Sequence, residues 1–402
     1  MLHPRSPGVG ALVLMLVIIP VVAMDLQFAA MPDIGRAMNA PVAAVQATLS
    51  TFAGVFGFLQ LVYGPVSDRV GRKPLIVGGM ALFGLASIGA ALSTSIEMLT
   101  AMRVLQAVGA CAGPVLGRAA IRDVHGGQSA ARMLGYVMGA FGIIAIIGPF
   151  LGGVLVDAFD WRASFIGMAG FGFIAALLCW LLLPETRPEG GPDIRPSPRA
   201  LVRVFAKLLG TRQVLVFVVA GGLMQAAFFA WLAGSSFIIM KVYGYSGTAY
   251  GLILPVTVAG FVVASFLSGK LAGRFPVQRL IVPGLLFGAT SGLVGLTLAL
   301  AGLSGIWAIL IPIIGVAVGH GMTLGLSAAG AMAPYPEDAG AASALAGFGQ
   351  YLGITASVAL AGILFDGTTL PILILVAGFA VAAALVFLTN LRALSTPAGQ
   401  TN

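Results

Sequence analysis

The sequence predicts an all-α membrane protein with twelve transmembrane helices in two pseudo-symmetric bundles of six, and three observations carry that expectation. Of the 402 residues, 59% are hydrophobic and only 8% charged, where a soluble domain carries about a quarter charged residues. The apolar residues come in runs of about 20, the length that crosses the hydrocarbon of a bilayer. One long polar stretch, Pro184 to Arg212, parts those runs six and six.

Read in order, the spans cover 9–31, 44–66, 74–94, 97–119, 133–156, 162–183, 213–239, 248–269, 279–301, 304–330, 340–365 and 370–391. The first, with Leu12 to Ala23 after Arg5, has the outline of a secretory signal. Asp25, Pro32 and the eleven further apolar runs argue that it is retained as a span. Connections as short as Ser93 to Glu97 make neighbouring helices antiparallel. The domain boundaries follow as 1–186, a linker over 187–212, and 213–402.

Basic residues orient the chain. Even-to-odd connections hold Arg69, Arg72 and Lys73, then Arg122 and Arg132, then Arg187 through Arg212, then Lys270, Arg274 and Arg279. The opposite side holds little beyond Arg36, Arg162 and Lys241. Both termini are therefore expected in the cytoplasm of a bacterial cell, with the chain in its inner membrane. The tenth-to-eleventh connection, with Glu337 and Asp338 and no base, is the exception. A net charge of +8 spread in short clusters between spans fits a lipid bilayer and not nucleic acid. Cys111 and Cys179 lie inside apolar runs without metal-ligand spacing, so no metal or cofactor is expected. Two bundles joined by a cytoplasmic linker are what an alternating-access carrier requires, and a monomer suffices for that.

Four stretches carry motifs. Gly64-Pro-Val-Ser-Asp68-Arg69-Val-Gly71-Arg72-Lys73 joins spans two and three. Its glycines permit a tight turn, and its acid and bases form a charge latch for one conformation. Ordinary positive-inside anchoring explains the bases but neither Asp68 nor the glycine spacing. The second half holds a degenerate copy, Gly269-Lys270-Leu-Ala-Gly273-Arg274, with Gly273 in the place of the acid. Arg103-Val-Leu-Gln106-Ala107-Val-Gly109 puts an arginine inside span four. It either faces the bundle interior or snorkels to the surface. Span five has Gly135, then Gly148-Pro149-Phe-Leu-Gly152-Gly153, a composition for close helix approach and a bend.

These stretches resemble the signature loop, the arginine motif and the antiporter motif of the major facilitator superfamily. Ala107 and Ile144 stand where the pattern has glycine. Asp25-Leu26, Met31-Pro32, Gln46, Gln60 through Asp68, Arg118-Ala-Ala-Ile-Arg122-Asp123 and Ala339-Gly-Ala-Ala-Ser343-Ala344 further resemble the Bcr/CflA branch of drug:proton antiporters. The resemblance implies the major facilitator fold and proton-driven export of small amphiphilic drugs such as phenicols. Drug and protons would then be its partners.

Asp25 is the only acid well inside the first-half spans, and an intramembrane carboxylate is a functional residue by default. Burial and nearby charge move a carboxyl's proton affinity in opposite directions, so a site that changes its surroundings loads and releases a proton. Asp25 with Arg103 as its counterweight is the expected coupling pair. Capping the end of span one is the other reading of Asp25. Phe28 lies one turn from Asp25, and Phe52, Phe56 and Gln60 recur every four residues along span two. With Phe141, Gln225, Phe228, Phe229, Trp231, Gln350 and Tyr351 they are expected to line a drug cavity, though aromatic stripes also serve as packing. His320 is either a second proton carrier or a histidine bonded to a neighbouring carbonyl. No HExxH, nucleotide-binding loop or paired intramembrane carboxylate points to an enzyme or to ATP. Export of a sugar or endogenous metabolite remains the alternative.

Overall fold

The computed structural model describes residues 7–125, 144, 146–186, 198–303 and 305–391. Every regular element among them is helical: α1 (Pro7–Val17), α2 (Ile19–Ala37), α3 (Val42–Val70), α4 (Arg72–Ala91), α5 (Ile96–His125), α6 (Ile146–Ala158), α7 (Trp161–Leu182), α8 (Pro198–Leu209), α9 (Arg212–Ser236), α10 (Gly247–Leu271), α11 (Val277–Leu300), α12 (Ile306–Met332), α13 (Ala339–Leu364) and α14 (Leu370–Thr389). A π-helical turn, Phe237–Val242, prolongs α9. Among the described residues ten helices are long and apolar enough to cross a membrane, or eleven when α1 and α2 are taken as one bent span. Helices dominate because hydrocarbon offers no partner to an open N–H or C=O.

Contacts divide the chain into two units, Met1–Pro196 with Tyr245–Pro255, and Ser197–Gly244 with Val256–Asn402. In the first, α5 packs on α1, α3 and α4, while α7 packs on α4 and α2. In the second, α9 lies at the centre against α12, α13 and α14, with α11 on α12 and α14.

Three elements differ from the sequence expectation. Span one is not a continuous helix: α1 and α2 meet at 42° around Ile18. Pro20 lacks the N–H that Leu16's carbonyl would accept, and its ring crowds that carbonyl. The freed oxygen turns to α5, where a Cβ on Gly113 would stand 2.5 Å from it. The loop expected after span two is nearly absent, because α3 runs through Asp68 and Arg69 to Val70 and α4 starts at Arg72. Gly71 makes the whole turn, at φ +104°, a conformation open to glycine and costly for other residues. The linker is also not uniformly irregular, since α8 occupies its second half. Of the expected fifth span, residues 133–143 and 145 lie outside the described residues and Ile146–Ala158 is helical.

Without apolar solvation to drive helices together, tight contact depends on small residues. Gly79 and Gly109 bring α4 and α5 to backbone contact: a Cβ on Gly109 would lie 2.5 Å from the Gly79 carbonyl oxygen and the Phe83 nitrogen. Gly78 on the same helix faces open space. Gly109→Val is expected to cost about 1–3 kcal/mol through overpacking and to lower the melting temperature in detergent, whereas Gly78→Ala leaves it unchanged or slightly raised.

Candidate functional site

The chemistry of the first unit gathers around Arg103, which is fully buried. Helix α5 carries it inward, which excludes snorkelling to the surface. Its Nη1 donates to the Ala23 carbonyl oxygen at 3.1 Å and to Gln106 Oε1 at 2.8 Å. The guanidinium lies over the Phe52 ring, 4.2 Å from its centroid, a contact worth about 2 kcal/mol when desolvated. Gln106 in turn donates to Ser87 Oγ at 2.6 Å, and Ser87 donates to the Phe83 carbonyl oxygen at 2.7 Å. Arg103 Nε and Nη2 have no hydrogen-bond acceptor among the described residues.

Asp25 is part-buried two residues beyond Ala23 on α2. It makes no ion pair with Arg103 among the described residues; the arginine instead bonds the Ala23 carbonyl, two residues away along α2. Helix α6 covers this turn of α2. A Cβ on Gly148 would stand 3.0 Å from Asp25 Cβ and 3.1 Å from its Oδ2, and one on Gly152 would stand 3.1 Å from Leu26 Cα. Gly153 meets the Gly247 carbonyl oxygen, and Pro149 and Phe150 meet Gly251. Asp157, one turn further on, accepts from Gly247 N at 3.0 Å and from Thr248 N and Oγ1 at 2.6 Å each. Gly135 and Phe141 lie outside the described residues.

Phe28, Phe52 and Phe56 are buried, and Phe52 stacks on Phe56 at 6.0 Å between ring centroids. Phe52 therefore supports Arg103, and Phe56 backs Phe52. Gln60 continues the stripe on α3, buried, with an Nε2 that finds no acceptor among the described residues. Gln27, on α2 beside Phe28, donates to Thr48 Oγ1 at 2.7 Å and leaves its Oε1 unpartnered among the described residues.

At the α3–α4 corner the hub is Arg72. It pairs with Asp68 at 2.9 Å and Asp123 at 3.1 Å, and it donates to Ser67 Oγ. Glu185 accepts from the backbone N–H of Arg72 at 3.0 Å and of Lys73 at 3.2 Å, so a carboxylate from beyond α7 caps α4, where N-terminal N–H groups favour an anion. A Cβ on Gly71 would stand 2.9 Å from Glu185 Oε2, so this glycine supplies room as well as its turn. Gly64 sits within α3 with open space around it, and Arg69 is exposed.

In the second unit Gln225, Phe228 and Trp231 are buried on α9, while Phe229, Gln350 and Tyr351 are part-buried. His320 stacks on Phe228 at 5.1 Å and on Phe261 at 5.0 Å. Its Nδ1, Gln225 Oε1 and Trp231 Nε1 have no hydrogen-bond partner among the described residues. At one end of this unit Lys207 of α8 donates to Asp338 at 2.9 Å and Glu337 at 3.4 Å and lies 4.1 Å from the Tyr335 ring centroid. That contact gives the one acidic connection its base. Nearby, Thr211 Oγ1 and Tyr335 OH are 2.8 Å apart.

The family model of the Major Facilitator Superfamily matches residues 13–358. The chain belongs to the major facilitator superfamily. This facilitator is 29% identical to Multidrug resistance protein D of Escherichia coli over 88% of both chains. It is 27% identical to a bicyclomycin resistance protein homolog of Haemophilus influenzae over 82% of both. Its fold matches that of the nucleoside transporter NupG, with a TM-score of 0.73 at 14% identity over 97% of this chain and 99% of that one. It is thus a multi-pass membrane transporter and not an enzyme.

Several residues that hold the facilitator's site together escape sequence reasoning. Ser87 and Gln27 are ordinary polar residues in apolar runs, distinguishable only by what they meet, and the motif that holds Gln106 does not say that it bonds Arg103 and Ser87. Asp123 stands in one of the quoted stretches, but its convergence with Glu185 on Arg72 and on the start of α4 depends on the packing of α5 and α7. Lys207 sits inside a basic stretch with nothing to single it out.

Two predictions follow from these contacts. Asp123→Asn and Arg72→Gln each lower stability. The double variant shows a coupling of about 1–3 kcal/mol in melting measurements, because the two side chains are mostly buried together. Lys207→Gln speeds amide exchange across α8. The hydrogen bond to Asp338 holds the Lys207 ammonium above the ordinary lysine range, so its tie is complete below the unfolded lysine value of about 10.4 and is lost as pH rises through the raised one. Exchange corrected for pH therefore stays at its neutral level up to about pH 9.

Proposed function

We propose that this facilitator is a proton-coupled exporter of small amphiphilic, drug-like compounds such as phenicols, working as a monomer across the bacterial inner membrane with both termini in the cytoplasm. Twelve spans in two six-helix bundles, 1–186 and 213–402, joined by 187–212, are the arrangement this reading uses. The observation that carries it is the joining of charge to a glycine-lined helix: buried Arg103 is tied to α2 two residues from Asp25, and Gly148 of α6 lies directly against the Asp25 carboxylate. A movement of α6 therefore changes the surroundings of Asp25. Relatives named for multidrug and bicyclomycin resistance support the drug class.

In this reading Asp25 takes a proton from the periplasm and gives it up to the cytoplasm. The ionised carboxylate is stabilised by the spare Nε–H and Nη2–H of Arg103, and drug binding competes with protonation. Phe28, Phe52, Phe56, Gln60, Phe141, Gln225, Phe228, Phe229 and Gln350 line the drug path. Asp68, Arg69, Arg72 and Lys73, around the turn of Gly64 and Gly71, act as the cytoplasmic latch. Gly135, Gly148, Pro149, Gly152 and Gly153 form the antiporter helix. No cofactor is used and no nucleic acid is bound.

The test is proton movement in liposomes of purified protein, read with a pH-sensitive dye as phenicols, bicyclomycin and cationic dyes are added. Compound-dependent proton flux is expected, falling at least tenfold to background in Asp25→Asn. Full flux in that variant overturns the coupling role, and no flux from protein that still binds a compound overturns antiport. Gly152→Val is expected to reduce flux with Asp25 intact, because its added methyls meet Leu26 backbone that cannot yield.

A further inference from the structure

Helix α8 lies between the long polar stretch and the first span of the second half, and only Gly210 and Thr211 separate it from α9. That spacing holds it within about a turn of a membrane surface. Its residues divide into three sectors around the axis. Leu208 is buried, and Leu201, Val204 and Phe205 are part-buried on the side that packs against α9 and α13. Arg199, Arg203 and Lys207 recur every four residues and form one exposed edge. Between these sectors Val202 and Leu209 are 67% and 48% exposed.

Lys207 is engaged by Asp338 and Glu337. Arg199 and Arg203 make no ion pair among the described residues and have no acid within reach on their own helix. An apolar strip beside two guanidiniums that pair with no acid among the described residues is the pattern of a helix lying in an interface, with the strip in the acyl boundary and the charges at headgroup level. Water alone leaves the strip unexplained, and an acidic protein or a nucleic acid would leave it uncovered.

We propose that the outer face of α8 binds anionic phospholipid headgroups through Arg199 and Arg203, with Val202 and Leu209 seated in the acyl region. Arginine suits the role because its planar fork engages phosphate oxygens bidentately. The occupant restrains the helix that Lys207 ties to the α12–α13 connection. The inference rests on the proposed orientation only for the choice of leaflet, which is the cytoplasmic one.

The experiment counts dioleoylphosphatidylglycerol retained by the purified full-length protein, using native mass spectrometry from micelles doped equally with that lipid and dioleoylphosphatidylethanolamine. The parent chain is expected to favour the anionic lipid. R199Q/R203Q is expected to bind it about thirtyfold more weakly, from two surface charges of ordinary worth. R199K/R203K keeps most of the preference, and R279Q, which removes a base elsewhere, leaves it unchanged. Raising salt weakens retention by the parent chain, a readout that needs no variant to fold. Equal retention of both lipids, undiminished retention by R199Q/R203Q, or an equal loss in R279Q overturns the proposal. None of these readouts involves drug or proton movement, so failure of the exporter reading leaves the lipid face standing.

Discussion

Arg103 is carried into the middle of the first unit with no carboxylate bonded to it among the described residues, and the arrangement of five helices follows from enclosing it. A lone guanidinium in hydrocarbon costs at least a few kcal/mol, so the surroundings answer it piece by piece. The Ala23 carbonyl comes from α2, Gln106 from α5 itself, the face of Phe52 from α3, and Ser87 of α4 holds Gln106 in place. Met168 of α7 reaches the same amide at 3.7 Å. Groups from five helices are thus one connected network, in which Arg103 Nε and Nη2 find no acceptor among the described residues.

Glycine is the second constraint, and it works by absence. The Gly-Pro-x-x-Gly-Gly run of α6 sets three glycines on three backbones or carboxylates: Gly148 on Asp25, Gly152 on Leu26 and Gly153 on Gly247. A side chain at any of them would part α6 from its neighbours. The same logic governs the bend at Ile18, where a proline on one helix frees a carbonyl and a glycine on another admits it. Close approach by α6 and the bend of α2 therefore lie within about two turns of one another on the same helix, both set by residues that lack a side chain or an N–H.

The two units manage charge at their helix ends differently. In the first, Arg72 gathers Asp68 and Asp123, and Glu185 closes the start of α4. Asp68 is 52% exposed at its side chain, so it contributes little beside the enclosed Asp123. In the second, the copy of that motif lacks its acid, and a basic residue from α8 meets the acids of the α12–α13 connection instead.

Much of this was legible in the chain itself. Apolar runs of membrane length, the basic bias of alternate connections and the Asp68–Lys73 and Gly148–Gly153 motifs determined a helical membrane protein of this family, because hydrocarbon imposes a length, a composition and a charge rule that act locally. The amphipathic period of Leu201, Val204, Phe205 and Leu208 was equally present, though hidden within a stretch read as uniformly polar. Only tertiary structure decided which polar atoms meet. It tied Arg103 to the Ala23 carbonyl, set the Phe52 ring under its guanidinium and stacked His320 on Phe228 and Phe261. It also supplied Lys207 as the base missing beside Glu337 and Asp338. Partners separated by 80 or 130 residues leave no periodic trace in a sequence, since their meeting depends on how whole helices rotate and pack and not on what surrounds each residue along the chain.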